Sequence, residues 1–143
     1  MSNIVWHRPD GGISVTLCAE GVDVETHAGY LMDGPDRPGN LIGIGIALPV
    51  YDEFRDAWRL QAGKVIVDMD AARELRRAQL RRERAPLLAV LDVDYIRADE
   101  FGDADGKALA VARKKALRDI TKHPGLDAAT TVAELRAVVL PAI

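Results

Sequence analysis

The side chains of this 143-residue chain that could do chemistry are few and scattered. Ser2 and Ser14 are the only serines, and neither sits in the strand–turn–helix elbow that exposes a serine nucleophile. Cys18, the single cysteine, has no basic neighbour to draw out its thiolate, cannot close an internal disulfide, and reads as a small buried apolar residue. His7, His27 and His123 lack any metal-ligand spacing and read as surface or turn histidines. Asp92 and Asp94 stand two apart in a helical pattern, so their carboxylates point different ways and do not form an acid–base pair. Gly43-Ile-Gly45 opens like a dinucleotide fingerprint, but Leu48 occupies the third glycine position and no helix pattern follows. Gly63-Lys64 is followed by Val65, so there is no phosphate-binding P-loop. Asp103-Ala-Asp105-Gly106 imitates the middle of a calcium loop, yet Phe101 and Ala112 fall where the first and last ligands belong, and a helix N-cap is the simpler reading. No catalytic, cofactor or metal constellation emerges, so the expectation is a protein that binds and does not catalyse.

The densest local signal is cationic. Arg73-Glu-Leu-Arg-Arg-Ala-Gln-Leu-Arg-Arg-Glu-Arg84 places Arg73, Arg77, Arg81 and Arg84 on one face of a helix. Three readings apply: a solvated helix face, a contact for an acidic protein partner, or a nucleic-acid patch. The last is disfavoured, because the chain carries a net charge of −3 and no aromatic residue interleaves the run. The charge is unevenly divided. Residues 1–67 hold 5 Lys/Arg and 9 Asp/Glu, a net −4, and residues 68–143 hold 14 and 13, a net +1. The glycines, prolines and both tryptophans concentrate in the first part, and Ala, Leu, Arg and Glu in the second. We read a small β-containing unit over 1–67 and a helical unit over 68–143. With 48% apolar and 29% charged residues the chain is globular, nothing reaches a membrane span, and Met-Ser-Asn-Ile-Val-Trp6 is not a signal peptide, so a cytoplasmic location is expected.

In the first unit, Asn3–Arg8 and Ile13–Cys18 read as a hairpin across Pro9-Asp-Gly-Gly12. Val24–Met32 has helical spacing behind an Asp23 N-cap and ends at Gly34-Pro35. The Gly/Ile alternation of Leu41–Leu48 reads as a strand closely approached by other backbone. Phe54–Leu60 and Lys64–Asp68 read as a second hairpin, with Trp58, Val65 and Val67 as its buried face.

In the second unit, Asp68 caps a helix running from Met69 to about Phe101 through Pro86, because Ala85 is a poor cap for a fresh start. A second helix follows Gly102-Asp103, from Ala104 to Lys122, with Leu109, Ala112, Ala116 and Ile120 as its apolar stripe. His123-Pro-Gly125 stops it, and Thr131-Val-Ala-Glu134 is a capping box for a short helix to about Val139. After Pro86 the apolar stripe is Leu87, Leu88, Leu91, Tyr95 and Ala98, and projected backward it meets the arginines. Ala71, Leu75, Ala78 and Ala85 lie on the opposite side. That predicts a buried face that changes sides near Pro86, with the leucine half packed on the second helix and the arginine half packed on something else. The predicted fold is α+β: a β-hairpin-rich N-terminal unit, then an antiparallel helical hairpin with a short terminal helix.

Phe54-Arg-Asp-Ala-Trp58, Val65-Ile-Val-Asp-Met69, Ala72-Arg-Glu74, Leu80-Arg81, Arg84-Ala-Pro-Leu-Leu88, Leu91-Asp-Val-Asp-Tyr95, Lys115-Ala-Leu-Arg-Asp119 and Glu134-Leu135 together resemble small proteins of the tail-gene clusters of tailed bacteriophages and prophages. The likeness covers about residues 51–140, and the layout is similar to that of tail fibre assembly proteins, or tail assembly chaperones. The Trp6-His-Arg-Pro-Asp-Gly-Gly12 hairpin is not part of that pattern. The resemblance implies no enzyme and no cofactor, and a phage tail or tail fibre protein as partner. It implies residence in the bacterial host cytoplasm or in the virion tail. A structural tail or baseplate component and a phage-encoded inhibitor of a host complex are the alternatives. Arg73, Arg77, Arg81 and Arg84, with Trp6, Tyr30 and Trp58 as aromatics of the first unit, are the expected partner contacts, since interfaces favour Arg, Trp and Tyr anchors. Homo-oligomerisation through the helices is a further expectation.

Overall fold

The computed structural model describes residues 1–143. Two compact units divide inside a helix, Met1–Ala72 and Arg73–Ile143, five residues beyond the 67/68 boundary read from composition. The architecture is α+β, with all strands in the first unit. No helix is long and apolar enough to cross a membrane.

The first hairpin forms as its turn chemistry dictates. β1 (Ser2–His7) and β2 (Ile13–Cys18) pair antiparallel, from Ser2 opposite Cys18 to His7 opposite Ile13. Gly11 N–H donates to Arg8 O at 3.0 Å, and Gly11 takes a φ of 84°, the left-handed position that only glycine fills without strain. Arg8 N–H then donates to Gly12 O at 2.8 Å, closing the ladder. β3 (Asn40–Ile44) pairs with the other side of β1, so the sheet order is β2-β1-β3. The close backbone approach expected within Leu41–Leu48 occurs one turn earlier. At Gly39 a Cβ would run into the His7 carbonyl oxygen, whereas Gly43 faces only the Ile46 side chain. The strand ends at Ile44, before Gly45 turns at a φ of 66°.

β1 is buried on both faces, which is how a unit poor in large aliphatics obtains a core. Ile4 and Trp6 face α1 (Val24–Asp33) and pack with Cys18 and Ala28, with Val24 and Leu31 of α1 against them. Val5, on the opposite face, packs with Trp58 and Val65 of the second hairpin. That hairpin, β4 (Trp58–Gln61) and β5 (Lys64–Val67), is shorter than the sequence suggested, because Arg55–Ala57 forms a 3₁₀ turn. Its two-residue loop puts Ala62 at φ 50° and Gly63 at φ 75°, the mirror-image turn that matches strand twist. Alanine is strained there. Ala62→Gly is expected to stabilise the protein by about 0.5–1 kcal/mol, read as a higher midpoint in urea.

α2 (Met69–Glu100) runs unbroken through Pro86. Asp68 caps it, its Oδ1 accepting from Asp70 N at 2.9 Å. α3 (Ala104–Asp119) starts after a turn at Gly102 (φ 67°) with Asp103 as N-cap, accepting from Gly106 N at 2.9 Å. The calcium-loop lookalike is thus a cap, and no three His, Cys, Asp or Glu side chains cluster anywhere. Past a 3₁₀ turn at Ile120–Lys122 the helical run stops at His123, as expected, and the same residues also begin α4 (Pro124–Ala128), because His123 Nδ1 accepts from Gly125 N and Pro124 fits the first helical position. α5 (Val132–Ala137) is capped by Thr131, and Glu134 folds back onto Thr130 N.

Candidate functional site

The arginine helix face does not have the geometry expected of it. Arg76 and Leu80 are buried, as are Leu91 and Ala98, and Arg73, Arg77, Arg84 and Leu87 are half-buried. At 100° per residue these positions form one continuous seam along α2. The buried face does not change sides at Pro86, and the arginines belong to the seam. A guanidinium is tolerated there because the segments opposite offer backbone carbonyls that lack helical partners. Arg84 Nη1 donates to Leu117 O (3.3 Å) and Arg118 O (2.7 Å) at the C-terminal end of α3. Arg77 Nε donates to Thr121 O at 3.3 Å, and its Nη groups pair with Glu74 and Asp127. The bond to Glu74, then that to Asp127, raises the Arg77 pKa despite partial burial. Arg73 Nη2 donates to Ala129 O at 2.8 Å, and Arg76 Nη2 to Val138 O at 2.8 Å. Read from Arg84 back to Arg73, three guanidinium groups meet three successive stretches of the returning chain, and Arg76 ties down the last. Only Arg81 of the four expected contacts is exposed.

The aromatics sort as sharply. Trp6 is wholly buried, with Nε1 donating to Thr16 Oγ1 at 3.1 Å, and Trp58 is 3% exposed. Neither is the surface anchor expected, whereas Trp58 with Val65 does form the buried face predicted for the second hairpin. Tyr30 is exposed, on the rim of a shallow depression at the end of α1. The sequence reading missed Tyr51, which is 71% exposed and whose ring stands edge-on to Trp58, centroids 6.2 Å apart at 78°. The Arg55 guanidinium lies 5.2 Å from the Tyr51 ring centre and donates to its hydroxyl. An aromatic four residues before an arginine, leading into a tight turn, was the only local signal.

Tyr51, Arg55 and Trp58 form one side of a cleft of about 570 Å³ in the first unit. Leu48 and Pro49 extend that wall, and β2 supplies the other through Ile13, Val15 and Leu17. Arg8 stands at the hairpin end. Its Nε bonds Asp10 Oδ1 at 3.0 Å, and Gly12 leaves the space that its guanidinium fills. The Gly12 N–H, then Arg8, hold the Asp10 carboxyl below its ordinary pKa. β2 is an edge strand. The Arg8–Gly12 bond sets the ladder phase, so Ser14, Thr16 and Cys18 exchange bonds with β1, and the backbone N–H and C=O of Ile13, Val15 and Leu17 face outward. The Trp58 indole N–H also has no hydrogen-bond partner. Asp56 also lines the cleft, 3.9 Å from Arg55 Nε. The cleft therefore offers an open strand edge, an apolar floor and two guanidinium groups beside one carboxylate, which suits an extended segment with an apolar side chain and a carboxylate to place against Arg8 and Arg55. It contains no nucleophile–base pair and no metal-ligand set. Compared with protein-family models, curated proteins and solved structures, the chain matches none of them.

Proposed function

We propose that this chain is a non-enzymatic tail fibre assembly chaperone of a tailed bacteriophage or prophage, and that it holds its fibre or tail partner in the β2–Tyr51 cleft. The phage assignment rests on the sequence likeness over residues 51–140. The binding mode rests on the cleft, where an unpaired strand edge runs beside exposed Tyr51 and the Arg8 and Arg55 guanidinium groups. A partner segment adds as a strand along β2, places an apolar side chain against Leu48 and Trp58, and sets a carboxylate against the arginines. Strand addition draws its strength from main-chain bonds and its selectivity from alternate side chains. The arginine seam of α2 holds the second unit together in this reading and is not the partner surface.

Co-expression with the fibre protein encoded beside its gene tests the assignment. Co-purification and a larger soluble fraction of the fibre are expected, and failure of both sinks the proposal. Stoichiometric copies of the chain in purified virions would make it a tail component instead.

A further inference from the structure

The two sides of the α2–α3 hairpin are finished differently. On one side Tyr95 fills the space between the helices, with Lys107 Nζ and Lys114 Nζ 5.5 and 5.7 Å from its ring centre. Those lysines close the rim through ion pairs to Asp99 (2.6 Å) and Asp92. On the other side nothing closes the seam. A groove of about 340 Å³ runs between the helices over Leu91, Ala98 and Ala110, with Phe101 86% and Leu109 50% exposed on its walls. Val90, also exposed, continues the α2 wall.

The same asymmetry explains why the α3 stripe read from sequence was misplaced. Leu109, Ala112 and Ala116 do form an apolar row, but they are exposed, and of that stripe only Ile120 is buried. The face against α2 is Gly106, Ala110 and Leu117. α3 thus carries two adjacent apolar rows and spends only one inside the chain. Two helices alone make a seam and not a core. Two such pairs make a four-helix bundle with the apolar rows inside.

Charge identifies what covers the groove. Asp94, Arg97 and Arg113 line it, and none of them makes an ion pair within the chain, although the charges on the opposite side do. A patch bearing both signs, with neither satisfied, is self-complementary under a twofold axis: Asp94 of one copy meets Arg97 or Arg113 of the other. We infer that the groove is a homodimer interface, at which two hairpins pair through Phe101 and Leu109 into a four-helix bundle. This surface lies in the second unit and is separate from the cleft proposed for the partner.

Sedimentation of the purified full-length chain should give twice the chain mass. Phe101→Asp with Leu109→Asp is expected to weaken the dimer at least about 30-fold, with an unchanged circular dichroism spectrum, since both side chains are exposed. Asp94→Arg alone, and Arg97→Asp with Arg113→Asp alone, should each weaken it, and mixing the two charge variants should restore a heterodimer. A monomer at the highest concentration reached overturns the inference. So does a dimer indifferent to the Phe101/Leu109 change, or a groove that closes only when the fibre protein is co-expressed.

Discussion

Replacing Arg76 with alanine is expected to lower stability by about 2–4 kcal/mol, a fall in melting temperature of roughly 6–15 °C for a chain of this size. The reason is the company this side chain keeps. It is 9% exposed, and one guanidinium serves Val138 O at 2.8 Å, Gln79 Oε1 at 3.1 Å and Glu83 Oε1 at 3.1 Å. Truncation strands the buried Val138 carbonyl, leaves a space the width of the side chain, and frees the segment after α5. Arg76→Lys keeps the charge but not the planar fork, so it should recover only part of the loss. Arg82→Ala, six residues on and exposed, should change stability by less than about 0.5 kcal/mol. Thermal melts of the three variants decide the point. Equal effects at 76 and 82 would mean that the arginines act through net charge and not as internal clamps.

That contrast marks what a sequence can and cannot disclose. Caps and turns depend on neighbours within four residues. The hairpin at Pro9–Gly12, the caps at Asp68, Asp103 and Thr131, and the passage of α2 through Pro86 are therefore legible in the sequence. The roles of Arg73, Arg76, Arg77 and Arg84 are not. Each is settled by carbonyls 33 to 62 residues away, and a periodic cation looks the same whether it faces water or a helix end. Trp6 failed as a surface anchor for a related reason: β1 is buried on both faces, so the alternation that assigns one face to solvent does not apply. Trp58 is legible as part of the buried face of the second hairpin, and that burial is what rules it out as an anchor. Tyr51 lay in a stretch with no regular element, where periodicity offers no reading at all.

Tyr51→Ala is expected to weaken capture of the fibre partner by about 30- to 1000-fold, the range for an aromatic anchor at the centre of an interface. The ring is mostly exposed and its contacts are with Trp58 and Arg55, so the folded state should survive its removal. Arg55→Glu should weaken capture further as salt is lowered, because reversal turns an attraction for a carboxylate into a repulsion that screening otherwise hides. Leu17→Pro addresses the strand edge itself. The Leu17 N–H faces away from β1, so proline costs the β1–β2 ladder no bond, yet it deletes a donor that an added strand would use. Tyr30→Ala is the matched control, removing an equally exposed aromatic that lies outside the cleft, and should change capture by less than about threefold. Pull-downs titrated with the fibre protein would rank the four variants. Loss at Tyr51, Arg55 and Leu17 but not at Tyr30 places the partner along β2. Loss at Tyr30 alone moves the partner to the end of α1 and removes the cleft from the account.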